Sequence, residues 1–121
     1  AQRRDIHDTL VSYEVPHRGG KDLPLSRAEI AVLQARVVGI RGPGSAALSL
    51  AYVAAGRFDA MICRNLNQWD IAAGILLVRE AGGFVADPDG EKNPMDTGNI
   101  LATNADLLPQ FKDALSKARA A

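Results

Sequence analysis

The sequence predicts an α/β fold: a layered mixed β-sheet flanked by helices. Three observations carry this expectation. Short apolar or β-branched runs alternate with longer segments of helical apolar spacing. Gly- or Pro-containing turns punctuate most of the boundaries between them. The resulting order, β-α-β-α-β-α-β-β-α, is that of a largely parallel or mixed sheet with helices packed on it. The order of the strands within the sheet is not readable from the sequence.

Each element has its own signal. Leu10 to Val15 is rich in β-branched and aromatic residues and stops at Pro16, so it reads as a strand followed by the turn-forming segment 17–22. Leu25 to Ala35 carries Leu25, Ala28, Ile30, Leu33 and Ala35 at near-helical spacing. Ser26 is its expected N-cap, with Glu29 three residues on as in a capping box. Val37 to Ile40 is a short apolar strand, and a glycine-rich turn, Arg41 to Ser45, follows. Ala46 to Ala55 is a strongly apolar helix closed by Gly56.

Phe58 to Cys63 reads as a strand and Arg64 to Gln68 as a polar loop. Trp69 to Ala81 is the clearest helix, stopped by Gly82 and Gly83. Phe84 to Ala86 is a strand, and Asp87-Pro88-Asp89-Gly90 is a strong turn signal. Ile100 to Thr103 is the last strand. Asn104 is placed to cap a final helix over Asp106 to Ala118, amphipathic through Leu107, Leu108, Phe111, Ala114 and Leu115. No repeat, low-complexity tract or linker interrupts residues 1–121, so a single domain is expected.

Composition narrows the function. With 121 residues, 47% of them hydrophobic, the chain fits a domain able to bury about two thirds of its unfolded surface. Fourteen basic and fourteen acidic residues give a formal net charge of zero. That argues against holding nucleic acid or an anionic membrane by bulk electrostatics. One cysteine, Cys63, excludes an internal disulfide and a multi-Cys zinc site, and fits a reducing, cytoplasmic setting. The charged start, Ala1 to Asp5, does not read as a signal peptide, and no apolar run reaches the length of a membrane span. A chain that starts at Ala rather than Met is expected to be a fragment or a processed product.

Three segments could carry chemistry. Gly42-Pro43-Gly44-Ser45 opens a helix, where backbone N–H groups and the helix dipole favour an anion. A tight turn with Ser45 as N-cap explains the same residues, and the spacing matches neither a Walker loop nor a dinucleotide fingerprint. Asp70, in Trp69-Asp70-Ile71-Ala72-Ala73-Gly74, begins a helix after a polar loop. It is either a first-turn carboxylate held by the dipole or a ligand for a hard cation such as Mg²⁺. Glu80-Ala81-Gly82-Gly83 most simply ends a helix. His7 and His17 lie in polar segments without metal-ligand spacing, and Cys63 is expected to be a small buried thiol.

Two of these runs, GSAALSLAYVAAGRFDA and WDIAAGILLVREAGG, resemble the C-terminal half of the inositol monophosphatase family. The Trp-Asp-x-Ala-Ala-Gly…Glu-Ala-Gly-Gly signature is specific, and the likeness extends to the flanks VVGIR and GNILATN. The resemblance implies the C-terminal layers of that family's αβαβα fold. It implies a Mg²⁺-dependent phosphomonoesterase acting on inositol phosphates or related sugar, nucleotide or amino-alcohol phosphates. On this likeness Asp70 matches a Mg²⁺ ligand, Trp69 the packing residue before it, and Gly44, Ser45 and Ala46 the turn lining the substrate pocket. Metal-assisted hydrolysis is the implied mechanism.

Two departures qualify the likeness. The family's Gly-Glu-Glu-type and Asp-Pro-Ile-Asp-Gly-Thr-type motifs, which carry most of the metal site, are absent from these residues. The Asp-Pro at Asp87-Pro88 continues differently. The chain is therefore expected to supply one metal ligand and part of the substrate wall, to be inactive alone, and to need a missing N-terminal half or a second copy. Many members also carry a Glu, in contact with substrate hydroxyls, where this chain has Cys63. A thiol is a poor substitute for a carboxylate acceptor. Arg64 beside it could meet a second anionic group on the substrate, or the change could be drift in a loop.

The competing expectation is a non-catalytic interaction or assembly module on the same fold. Family members with roles in transcription or RNA processing give it precedent, although zero net charge makes direct nucleic-acid binding the weaker form. An exposed apolar surface would favour it, and a monodisperse monomer that binds no hydrophobic dye would count against it. A sister activity on fructose-bisphosphate, histidinol phosphate or nucleotide 3′-phosphates shares the same signature.

Overall fold

A computed structural model describes residues 3–14, 23–64, 66, 68–90 and 92–120; for Leu23 and Gln68 to Asp70 it describes the backbone alone. The expected turn at 17–22 and His17 lie outside the described residues. After a single 3-10 turn, Ile6–Asp8, the chain runs through β1 (Leu10–Glu14), α1 (Leu23–Gln34), β2 (Gly39–Arg41) and α2 (Ala46–Ala54). It continues through β3 (Ala60–Cys63), α3 (Gln68–Glu80), β4 (Phe84–Ala86), α4 (Pro94–Thr97), β5 (Ile100–Thr103) and α5 (Leu108–Ala120).

The five strands form one mixed sheet in the order β2-β1-β3-β5-β4. β1 is parallel to both β2 and β3, while β5 is antiparallel to β3 and to β4. The strand residues alternate between two cores, as period-two geometry requires. Ala60, Ile62 and Leu101 face a cluster with Leu33 of α1 and Phe111 and Leu115 of α5. Met61, Ile100 and Ala102 face the opposite cluster, with Leu50 of α2 and Ile71, Ile75 and Val78 of α3. Helices therefore cover both faces, and every residue of β3 and β5 is buried.

Two expectations are corrected. Ser26 is not the N-cap of α1: the helix begins at Leu23, and Ser26 lies buried inside its first turns. Pro24 is tolerated there because the first-turn amides have no intrahelical partner. Glu29 is likewise no capping-box residue but a fully buried partner of Arg64. The structure also adds α4, one turn with Asn93 as N-cap, Pro94 at its first position and Gly98 closing it in the left-handed region at φ 74°. Smaller shifts place β2 at Gly39–Arg41, start β3 at Ala60 and start α5 at Leu108. Asn104 still receives the Leu107 N–H at 2.9 Å, tying down the turn that leads into α5. Among the described residues no helix is long and apolar enough to cross a membrane.

Candidate functional site

The parallel strands β1, β2 and β3 end at the same edge of the sheet. From β1 the chain leaves toward α1 on one face, and from β3 toward α3 on the other. The gap between their carboxyl ends is thus a topological switch point, where open α/β sheets hold ligands. Glu14 and Cys63 stand opposite each other across it, as register partners of β1 and β3.

The turn from β2 into α2 enters at the same edge. Gly44 adopts φ 87°, a conformation that favours glycine. Ser45 caps α2, its hydroxyl accepting the Leu48 N–H at 3.2 Å. That leaves the first amides of the helix, Ala46 among them, without an intrahelical acceptor. The Gly44 N–H is shared between both carboxylate oxygens of Glu14, each at 3.2 Å. Ser49 donates its hydroxyl to Glu14 Oε1 at 2.9 Å and lies 2.8 Å from the Ser12 hydroxyl. Glu14 therefore ties the turn to β1.

Cys63 is 4% exposed, and its Sγ lies 3.7 Å from the Arg64 carbonyl. The Arg64 side chain is only 2% exposed and points into the protein. Its Nε and Nη2 donate to the two oxygens of Glu29 at 3.0 and 2.6 Å. Its Nη1 and Nη2 donate to those of Asp89 at 2.7 and 2.8 Å. These bonds occupy four of the five guanidinium donors, so contact with a further anion has to use the fifth or displace a carboxylate. Arg119 of α5 closes the chain of charges on Asp89 Oδ1 at 2.9 Å, and the Tyr13 hydroxyl donates to Glu29 Oε1.

The network shifts its members in consistent directions. Burial would lower the Arg64 pKa, but hydrogen bonds to Asp89 and Glu29 outweigh it and raise the value. The Arg64 hydrogen bond holds Asp89 below the usual carboxylate range, against the opposing effect of burial. Burial, and then the Glu29 carboxylate, push the Tyr13 hydroxyl upward.

Asp70 is the third residue of α3, so its backbone lies in the first turn of a helix that starts from this same edge. α3 packs closely on α2: a Cβ placed on Gly74 would come within 2.5 Å of Leu50 Cδ1 and 2.8 Å of Leu50 Cβ. The glycine of the Trp-Asp-Ile-Ala-Ala-Gly run is thus what lets the two helices approach. The loop before Asp70 is pinned where Leu66 donates its N–H to the Gly98 carbonyl at 2.9 Å. Glu80 is the exposed last residue of α3, and Gly82, at φ 86°, ends it. His7 is exposed, its Nδ1 2.8 Å from the Arg36 carbonyl. Among the described residues no group of three or more His, Cys, Asp or Glu is placed to hold a metal ion.

The charged partners that organise this edge were not readable as such. Glu14 lies in a strand without any motif, Glu29 reads as a capping residue, and Asp89 and Arg119 lie in segments with ordinary turn and helix signals.

Comparison with known proteins follows the same outline. Residues 3–120 match the family model described as the inositol monophosphatase family. The inositol-1-monophosphatase of Mesorhizobium japonicum is 44% identical over 117 residues, covering 97% of this chain and 44% of its own length. The Nus factor SuhB of Escherichia coli K12 is 42% identical over 119 residues, covering 95% of this chain and 45% of its own. The crystal structure of the extragenic suppressor protein suhB from Bartonella henselae superposes with a TM-score of 0.89 at 43% identity, over 95% of this chain and 44% of that one. The chain thus spans a little under half the length of these relatives, corresponding to their C-terminal half.

Proposed function

Because the chain belongs to the inositol monophosphatase family, we propose that it forms the C-terminal portion of a Mg²⁺-dependent phosphomonoesterase and is inactive alone. Its substrate is inositol phosphate or a related small phosphate ester. The observation that carries this reading is the meeting of three features at one switch point. The Gly44-Ser45-Ala46 turn, the β3 end at Cys63 and Arg64, and the first turn of α3 with Asp70 all open on the same edge.

In this reading Asp70 supplies one carboxylate to Mg²⁺. The donor type fits that share: a carboxylate in the first turn of α3. Mg²⁺ takes few protein carboxylates and completes its shell with water and phosphate oxygens. When bound, the ion supplies Lewis-acid stabilisation of the phosphate and activation of a water. The chain's own residues orient. Gly44, Ser45 and Ala46 form one wall of the substrate pocket, Cys63 lines its floor, and Arg64 fixes that floor through Glu29 and Asp89.

The rest of the site then comes from a portion homologous to the half of the relatives that this chain does not cover. A surface suited to receive it lies on α2 and α3, where Leu48, Leu76 and Leu77 are 41%, 59% and 50% exposed. The lone buried Cys63 fits a reducing, cytoplasmic setting.

The test fuses this chain to the N-terminal half of the Mesorhizobium relative. Asp70→Asn should lower Mg²⁺-dependent phosphate release by about 100-fold or more, since the stabilisation at stake is several kcal/mol. Unchanged release would refute the role of Asp70. The same apolar face favours a second reading, an assembly module, which fits the relatives named Nus factor SuhB. That reading expects a stable complex with no turnover.

A further inference from the structure

Glu14 is a carboxylate at the switch point that the proposed reaction does not use. It ends β1 in register with Cys63 and ties the Gly44 turn to that strand. Its Oε1 receives the Ser49 hydroxyl and half of the Gly44 N–H, while among the described residues Oε2 receives only the other half. A carboxylate offers about four lone-pair sites and no donor, so Oε2 retains capacity for a further donor. Among the described residues no cation forms an ion pair with it. Arg64 is bound by Glu29 and Asp89. Arg41 stands at the end of β2, beyond β1, and donates to the Ile40 carbonyl at 3.0 Å.

We propose that Glu14 is a specificity-determining residue of this crevice. Its carboxylate accepts a hydrogen bond from a hydroxyl or ammonium group on the alcohol portion of the substrate, and it repels a second phosphate. The substrates selected are therefore monophosphate esters whose alcohol carries a donor, and bisphosphates are disfavoured. The inference rests on the reading of Gly44 to Ala46 as a substrate wall. The physical basis is the asymmetry of the group: as an ion it can only accept, and like charges at short range repel.

The experiment compares inositol 1-phosphate with fructose 1,6-bisphosphate in the fused enzyme. Glu14→Gln keeps an acceptor and removes the charge. It should raise kcat/KM for the bisphosphate relative to the monophosphate by about tenfold. Glu14→Ala removes both, and should also raise KM for the monophosphate by about tenfold at similar kcat. Equal ratios in the parent and Glu14→Gln enzymes would overturn the proposal while leaving the wall intact. Should the parent fusion release no phosphate, the preceding reading fails on its own. The ratio is then taken as binding, from Gly44 and Ser45 amide shifts when the ¹⁵N-labelled chain is titrated with each ester. A preference for the monophosphate that Glu14→Gln abolishes supports the assignment; no shift, or no change in preference, overturns it.

Discussion

Arg64 shows how much a single side chain can organise. It is held between Glu29, fully buried, and Asp89, which is about one-third exposed. A pair of this kind contributes little net stability, because desolvation offsets the attraction, but removing one partner strands a buried charge. Arg64→Met should therefore destabilise the fold by about 3–5 kcal/mol, measured by urea unfolding. A loss under 1 kcal/mol would mean that the network does not anchor the start of the Asp70 loop. None of this was legible beforehand. The network joins β1, α1, the end of β3, the turn after β4 and α5, segments up to 106 residues apart between Tyr13 and Arg119. Local spacing carries no trace of such a partnership, and Glu29 three residues after Ser26 mimics a capping box.

The elements with their own punctuation were legible. β4 and β5 fall where short apolar runs lie between turn residues, and α3 is within one residue of its expected bounds, with Gly82 and Gly83 stopping it. α4 was missed because one turn is too short to show an apolar period; its only signal is Asn93-Pro94 with Gly98 behind it. The α2–α3 contact makes the sharpest prediction at this scale. Alanine would improve the helix by about 1 kcal/mol over glycine, yet its Cβ would stand 2.5 Å from Leu50 Cδ1. Overpacking typically costs about 1–3 kcal/mol, so Gly74→Ala should lower the melting temperature. A raised melting temperature would show that Leu50 yields freely and that the helices are not held at their closest approach.

For the whole molecule, the layering was predictable from the β/α alternation, but the strand order was not, since a mixed sheet of five strands admits many orders. The structure settles it as β2-β1-β3-β5-β4, and that order is what creates the switch point. The sequence offers Gly44, Ser45, Ala46, Cys63, Arg64 and Asp70 as candidates for the site. Its charged frame came from the fold. On the proposed function, these layers form part of a phosphatase and need a homologous counterpart for the rest. The most direct test measures phosphate release from inositol 1-phosphate by the 121-residue chain, alone and with the N-terminal half of a relative, each with Mg²⁺ and with EDTA. No release above the EDTA blank is expected for the chain alone, and Mg²⁺-dependent release is expected once the counterpart is added. Mg²⁺-dependent turnover by the chain alone would contradict it, for the chain would then hold a complete metal site of its own.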